Sequence, residues 1–211
     1  MARMLLVDDH PAVQRGLREL LLTEFPQSEF EFASSEESAL RAVSSGHWDL
    51  GIVDINLPGK GGLELLKCLK EKRPLLRLLI YTMHPEQQFG IRALRSGADG
   101  YLTKDSPPDQ LFLAIRQLLA GRRYVSPYLV DQLAAVVSGE DNGQKHLALS
   151  PREHEVLRAT AAGLSLSETA AKLNVNTKTV STYRARIFEK LEVKSQAELI
   201  RYALRHGLIE E

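Results

Sequence analysis

The sequence predicts an α/β doubly wound five-stranded parallel sheet followed by a small all-α helix-turn-helix domain. Three observations carry this. Over the first 120 residues, five short apolar runs alternate with five amphipathic stretches. Residues 148–211 hold amphipathic stretches and no strand-like run. Between them, SGEDNGQK has two glycines, mixed charge and no large apolar residue, the composition of a flexible linker.

Strands are expected near 3–7, 29–32, 50–54, 77–81 and 99–102, with helices near 11–24, 35–46, 61–72, 86–96 and 107–120. Ser35 and Asp109 suit capping or first-turn positions, and Pro107-Pro108 suits a helix start. Gly46, Gly97 and Gly121 stand where helices should stop. Alternating β/α pairs imply a parallel sheet covered on both faces, closed by right-handed crossovers. The first domain spans residues 3–120. Residues 121–146 form a linker with one helix, expected over Tyr124 to Val137 with Leu129, Val130, Leu133 and Val137 on one side. The last domain spans residues 147–211, with helices near 151–162, 166–173, 177–192 and 196–206. Ser150-Pro151-Arg152-Glu153 combines a serine N-cap, a first-position proline and the acid of a capping box.

Composition narrows the class. The chain has 211 residues, 44% apolar and 26% charged, ordinary for soluble globular protein. No apolar run approaches the roughly 18 residues of a membrane span, and the short apolar start before Asp8 is no secretion signal. The single cysteine, Cys68, excludes an internal disulfide and fits a reducing cytoplasm; beside Leu65, Leu66 and Leu69 it reads as a structural thiol. Net charge is zero but uneven. Residues 1–120 carry 14 basic and 16 acidic side chains, and residues 148–211 carry 10 and 8. Within residues 176–194, Lys178, Arg184, Arg186, Lys190 and Lys194 face only Glu189 and Glu192. Clustered cations of this kind suit phosphate contacts.

Four of the strand-like runs end in a polar or charged group. MLLVDDHP ends in Asp8-Asp9, LGIVDINLPG in Asp54, LLIYT in Thr82 and GADGYLTK in Lys104. In a parallel sheet the carboxyl ends lie side by side, so these residues converge on one crevice. Three carboxylates, a hydroxyl and an ammonium suit a divalent cation and a phosphoryl group. Asp9 and Asp54 are expected to ligate Mg²⁺ directly, with Asp8 acting through water and the backbone carbonyl of Asn56 as a further ligand. Asp54 is then the nucleophile, and Lys104 and Thr82 meet the phosphoryl oxygens.

In the last domain, LSLSETAAKLNVNTKTVSTYRARIFEKL has the form helix, short turn, helix. Asn174 to Asn176 make the turn, and Asn176 or Thr177 caps the second helix. The N-terminal half of that helix is expected in the DNA major groove. Lys178, Ser181, Thr182, Ala185 and Arg186 span one outward sector, while Val180, Ile187 and Leu191 return to the core. Thr179, Arg184 and Lys190 complete the set of expected DNA contacts.

VDDHP, VDINLPGKGG, IYTM and GADGYLTKD together resemble the receiver domain of two-component response regulators, a flavodoxin-like fold, over about residues 3–120. The resemblance implies that Asp54 is the phosphorylated aspartate, Asp8 and Asp9 the acidic pair, Thr82 the switch hydroxyl and Lys104 the invariant lysine. Tyr101 falls at the switch aromatic, which turns inward when Thr82 moves toward the phosphoryl group. Two positions depart from the pattern. Asp105 stands where many receivers have a proline after the lysine, often cis. Met83 stands where many have a small residue, and is expected to narrow access for small phosphodonors. Residues 147–208 resemble the LuxR-type helix-turn-helix domain, and SQAELIRYALRHGL matches its dimer helix. The two together resemble the NarL/FixJ arrangement of transcription regulators. This implies a cognate sensor histidine kinase, double-stranded DNA and a second copy of the chain as partners, with dimerisation on phosphorylation or DNA binding.

Two other classes compete. A stand-alone metal-dependent phosphatase needs a general acid beside the nucleophile and a substrate lid. Asn56 occupies the place of the acid, and no lid insertion is evident. The expectation is therefore no enzyme beyond self-assisted phosphorylation and dephosphorylation of Asp54. A protein-binding helical module is separated from a DNA-binding one by the salt dependence of its affinity.

Overall fold

A computed structural model of the chain describes residues 1–58, 61–137 and 145–209. Most of the segment expected as a flexible linker lies outside the described residues. Contacts within the chain divide it into two units, Met1–Ser138 and Gly139–Glu211.

The first unit alternates as expected: β1 (Arg3–Val7), α1 (Pro11–Glu24), β2 (Glu29–Ala33), α2 (Glu36–Ser45), β3 (Leu50–Val53), α3 (Gly62–Lys72), β4 (Arg77–Thr82), α4 (Glu86–Arg95), β5 (Gly100–Thr103) and α5 (Pro108–Leu119). A further helix, α6 (Pro127–Val137), follows within the segment expected as linker. The sheet order is β2-β1-β3-β4-β5, and every pairing is parallel. The inner strands are near-continuous apolar runs because helices cover both faces. Met4, Leu5, Leu6 and Val7 of β1, and all four residues of β3, are buried. β2 sits at an edge, and its exposed Glu29 and Glu31 discourage pairing with another chain. Met4, Leu6, Leu50, Ile52 and Leu79 from the sheet pack with Leu111, Ile115 and Leu118 of α5 on one face.

Helix ends follow the local chemistry. Ser35 caps α2 through the Ser38 amide, and Ser38 returns the bond to the Ser35 amide. Pro108 opens α5, where its missing N–H costs nothing.

In the second unit a 3₁₀ turn over Lys145–Ala148 precedes α7 (Pro151–Ala161), α8 (Leu166–Leu173), α9 (Thr177–Leu191) and α10 (Gln196–Arg205). All three expected features at the start of α7 are present: Pro151 opens the helix, the Ser150 hydroxyl accepts from the Glu153 amide, and Glu153 accepts from the Ser150 amide at 2.6 Å. Val156, Leu157, Val180, Ile187, Leu191, Leu199 and Ala203 form the core. Leu199 and Ala203 of the expected dimer helix are thus internal packing, and Leu204 is its exposed large apolar residue.

Candidate functional site

β1 has β2 on one side and β3 on the other, so the chain reverses its winding between β1 and β3. Crossovers leave that point in opposite directions and open a crevice beyond the carboxyl ends of the strands. Asp8 follows β1, Asp54 follows β3, Thr82 ends β4 and Lys104 follows β5. The crevice gathers them. Lys104 Nζ donates to Asp54 Oδ2 and to Asp8 Oδ2, both at 2.6 Å. The Thr82 side chain lies close enough to Asp54 to favour its charged form. Thr82 is fully buried, and Asp8 and Asp54 are nearly so.

The second oxygen of each aspartate is held by the backbone. The His10 amide donates to Asp8 Oδ1 at 2.8 Å, and the Asn56 amide donates to Asp54 Oδ1 at 3.1 Å. Burial pushes the Asp54 carboxyl up, but Lys104, Thr82 and the Asn56 amide outweigh it and hold the group below its ordinary value. Burial likewise opposes the charge of Lys104, and Asp54 and Asp8 outweigh it, raising the ammonium above its ordinary value. Asp54 is therefore an ionised carboxylate at neutral pH, paired with the Lys104 ammonium. Asp9 is more open, and its Oδ1 lies 2.8 Å from His10 Nδ1. Asp8, Asp9 and His10 bring their ligand atoms within 4.8 Å of one another. Sequence reasoning gave His10 no place in this cluster.

Gly62 is also part of the positioning, and sequence reasoning missed it. A Cβ there would stand 2.0 Å from the Asp54 carbonyl oxygen, so α3 begins against the backbone of Asp54. The Gly62 amide donates to the Ile55 carbonyl at 2.9 Å and pins the loop. The glycine-rich GKGG run was the available signal. Tyr101 is buried, and its hydroxyl donates to the His84 carbonyl at 2.9 Å. His84 Nε2 lies 2.7 Å from Asn56 Oδ1 beside the mouth of the crevice. There are no cis peptide bonds among the described residues, so the Lys104–Asp105 bond is trans. Met83 is solvent-exposed.

In the helical unit, α8 ends on Asn174 in the left-handed conformation, φ 52°, and turns into α9. Asn176 caps α9: its Oδ1 accepts from the Thr179 amide at 2.7 Å. Lys178, Ser181, Thr182, Ala185 and Arg186 are exposed in one sector of α9, while Val180, Ile187 and Leu191 are buried. Four of the expected DNA contacts have internal partners. The Thr182 hydroxyl donates to the Lys178 carbonyl one turn back at 3.0 Å. The Thr179 hydroxyl donates to Asn176 Oδ1 at 2.9 Å. Arg184 lies over the Phe188 ring and donates to Gln196 Oε1 at 3.3 Å. Lys190 donates to the buried Glu153 at 2.6 Å and to the Ala148 carbonyl at 3.2 Å.

A nearly buried, ionised aspartate in a strand-end crevice of one unit and a helix-turn-helix with exposed Lys178 and Arg186 in the other suit one class, the phosphoryl-responsive DNA-binding regulator. Known proteins point the same way. The model of the response regulator receiver domain matches residues 4–116, and that of the bacterial regulatory proteins of the luxR family matches residues 147–203. The chain is 34% identical over 211 residues to the response regulator GacA of Pseudomonas aeruginosa, covering 100% of this chain and 99% of that one. It is 32% identical over 209 residues to the response regulator UvrY of Escherichia coli, covering 99% and 96%. Among solved structures it is similar to RcsB from Salmonella enterica serovar Typhimurium bound to promoter rprA in the presence of the phosphomimetic BeF₃⁻. That likeness has 27% identity and a TM-score of 0.61, over 96% of this chain and 98% of that one. It is also similar to a LuxR-family two-component response regulator from Aurantimonas, with 37% identity and a TM-score of 0.58 over 65% and 99%. The chain belongs to the NarL/FixJ family of two-component response regulators, a receiver domain joined to a LuxR-type DNA-binding domain.

Proposed function

We propose that Asp54 accepts a phosphoryl group from a sensor histidine kinase and that the modification gates dimerisation and DNA binding by the second unit. The observation that carries this reading is Lys104 Nζ, 2.6 Å from both Asp54 and Asp8, which keeps Asp54 ionised in a crevice. An Asp54 carboxylate oxygen attacks phosphorus, the bond from phosphorus to the donor atom breaks, and the donor keeps its electron pair. Lys104 then exchanges a carboxylate oxygen for a phosphoryl oxygen, and the Thr82 hydroxyl turns to another. Charge repulsion between the carboxylate and the incoming phosphoryl group is the obstacle.

Three carboxylates against one ammonium leave the crevice an excess of negative charge, and an all-oxygen donor set fits Mg²⁺. Asp9, Asp54 and the Asn56 carbonyl would hold the ion, with Asp8 assisting through water. Bound there, Mg²⁺ offsets the charge of the phosphoryl oxygens. On the second unit, Lys178, Ser181, Thr182 and Arg186 form the DNA-facing set. RcsB, similar along nearly the whole chain, forms dimers on DNA, which supports both partners here. A chain that acts on DNA in this way works in the cytoplasm.

The test is a salt-titrated shift assay on a duplex selected from a random pool by the wild-type protein. Beryllofluoride should tighten binding by wild type and leave Asp54→Asn unchanged. Equal binding by both with the mimic present would remove Asp54 from the gate.

A further inference from the structure

After α5 the chain turns back along β5 and α4 within the first unit. The Tyr124 amide donates to the Asp99 carbonyl at 3.0 Å, and Tyr124 pairs with Gly100 as an isolated parallel bridge. The Ser126 hydroxyl donates to Glu86 Oε2 at 2.7 Å and accepts from the Leu129 amide at 3.2 Å, which caps the start of α6. Leu129, only 1% exposed, presses on Gly90. A Cβ at Gly90 would stand 2.5 Å from Leu129 Cδ2. Glycine inside a helix weakens it relative to alanine. Here the close approach of Leu129 accounts for it.

Glu86 is the first residue of α4, and Gly90 lies one turn on, so α6 is seated on the N-terminal half of α4. That half is wired to the crevice. The Thr82 hydroxyl is 3.5 Å from the His84 amide, Tyr101 donates to the His84 carbonyl, and the His84 ring lies 4.6 Å from the Phe89 ring. Burial, opposed by the Ser126 hydroxyl, raises the Glu86 carboxyl, as expected of a contact closed to water.

We propose that the N-terminal half of α4 is an internal docking surface for α6. Ser126 on Glu86 and Leu129 against Gly90 make the linker helix the element that carries the state of Thr82 and Tyr101 to the DNA-binding unit. The inference rests on the proposed phosphorylation gate and adds the segment that reads it. With Tyr101 inward, the His84 carbonyl is held and α6 is seated. When the segment between β4 and α4 shifts, Glu86 and Gly90 shift with it and the seat opens. α6 is followed in sequence by the residues that lead to the second unit.

The experiment compares full-length wild type, Leu129→Ala and Gly90→Leu with and without beryllofluoride, on the selected duplex. A second readout is hydrogen exchange of the α6 amides. In wild type the mimic should slow α6 exchange and tighten DNA binding by about 5–150-fold, the usual range of coupling between two sites. In Leu129→Ala, phosphoryl labelling of Asp54 should keep its wild-type rate, α6 should exchange quickly in both states, and the affinity ratio should fall to within about twofold. Gly90→Leu should behave alike; if it fails to fold, Leu129→Ala, which only removes atoms, decides. A wild-type ratio retained in Leu129→Ala overturns the inference and leaves the phosphorylation gate standing. No response in wild type overturns both.

Discussion

Lys104 Nζ and Asp54 Oδ2, fifty residues apart in sequence, lie 2.6 Å apart in the crevice, and the same ammonium holds Asp8 at the same distance. One cation thus keeps two nearly buried carboxylates together. Lys104→Met leaves those carboxylates facing each other unpaired. Removing one partner of a buried charge set costs about 3 kcal/mol or more, because the remaining charge has no partner. The expected outcome is a large fall in stability at neutral pH, read by urea unfolding followed on Trp48, the sole tryptophan and a residue of the first unit. The double variant Lys104→Met/Asp54→Asn should recover most of the loss, since it removes one of the opposed charges. Additive losses would mean that the pair is not coupled.

Mg²⁺ should act in the same direction as Lys104. A cation that binds only the folded crevice stabilises it by about 2.7 kcal/mol at a hundred times its dissociation constant. A thermal scan with and without Mg²⁺ should show this rise in wild type and its loss in Asp9→Asn. Asn56→Ala should retain it, because the expected ligand there is a backbone carbonyl. An Asn56→Ala variant blind to Mg²⁺ would place the side chain in the coordination instead.

On the reader helix, neighbouring arginines should behave differently. Arg186 is exposed, while Arg184 is committed to Phe188 and Gln196. Arg186→Ala should weaken binding and reduce the slope of log affinity against log salt by about 0.9, one phosphate contact. Arg184→Ala should leave that slope alone and lower the unfolding midpoint of the second unit. If Arg184→Ala changes the salt slope as Arg186→Ala does, the internal contacts do not hold Arg184 on DNA.

Much of this was legible in sequence because it depends on local periodicity. The apolar runs ending in Asp8, Asp54, Thr82 and Lys104 fixed their strands, and parallel order alone brings such ends together. The turn at Asn174 and the capping box at Ser150 were equally local. What stayed hidden depends on packing between distant segments. Gly90 reads as a weak helix residue until Leu129 is placed against it, and Gly62 as a turn residue until the Asp54 carbonyl is placed beneath its missing Cβ. Lys190 counted as one more cation because its partner, Glu153, lies 37 residues away on another helix. Charge counting finds the basic helix but not which of its cations are already used.

The Glu153–Lys190 pair gives the second unit its own pH dependence. Burial pushes the Glu153 carboxyl up, but Lys190 and the Ser150 amide outweigh it, and the group lies below its ordinary value of 4.5. A carboxylate lowered in the folded state contributes stability that is present in full above its unfolded pKa. That contribution is lost as pH falls through the lower, folded value. Glu153→Gln keeps an acceptor for the Ser150 amide and removes only the charge. It should cost about 1.5–3 kcal/mol near neutral pH, the range for a hydrogen bond to a charged group. The cost should fall toward zero as wild-type Glu153 becomes protonated. Urea unfolding followed on the Tyr183 and Tyr202 resonances, both in the second unit, separates this loss from events at Trp48. The two curves should converge on acidification. A gap that persists at acid pH would assign the cost to lost packing around Glu153 rather than to its charge.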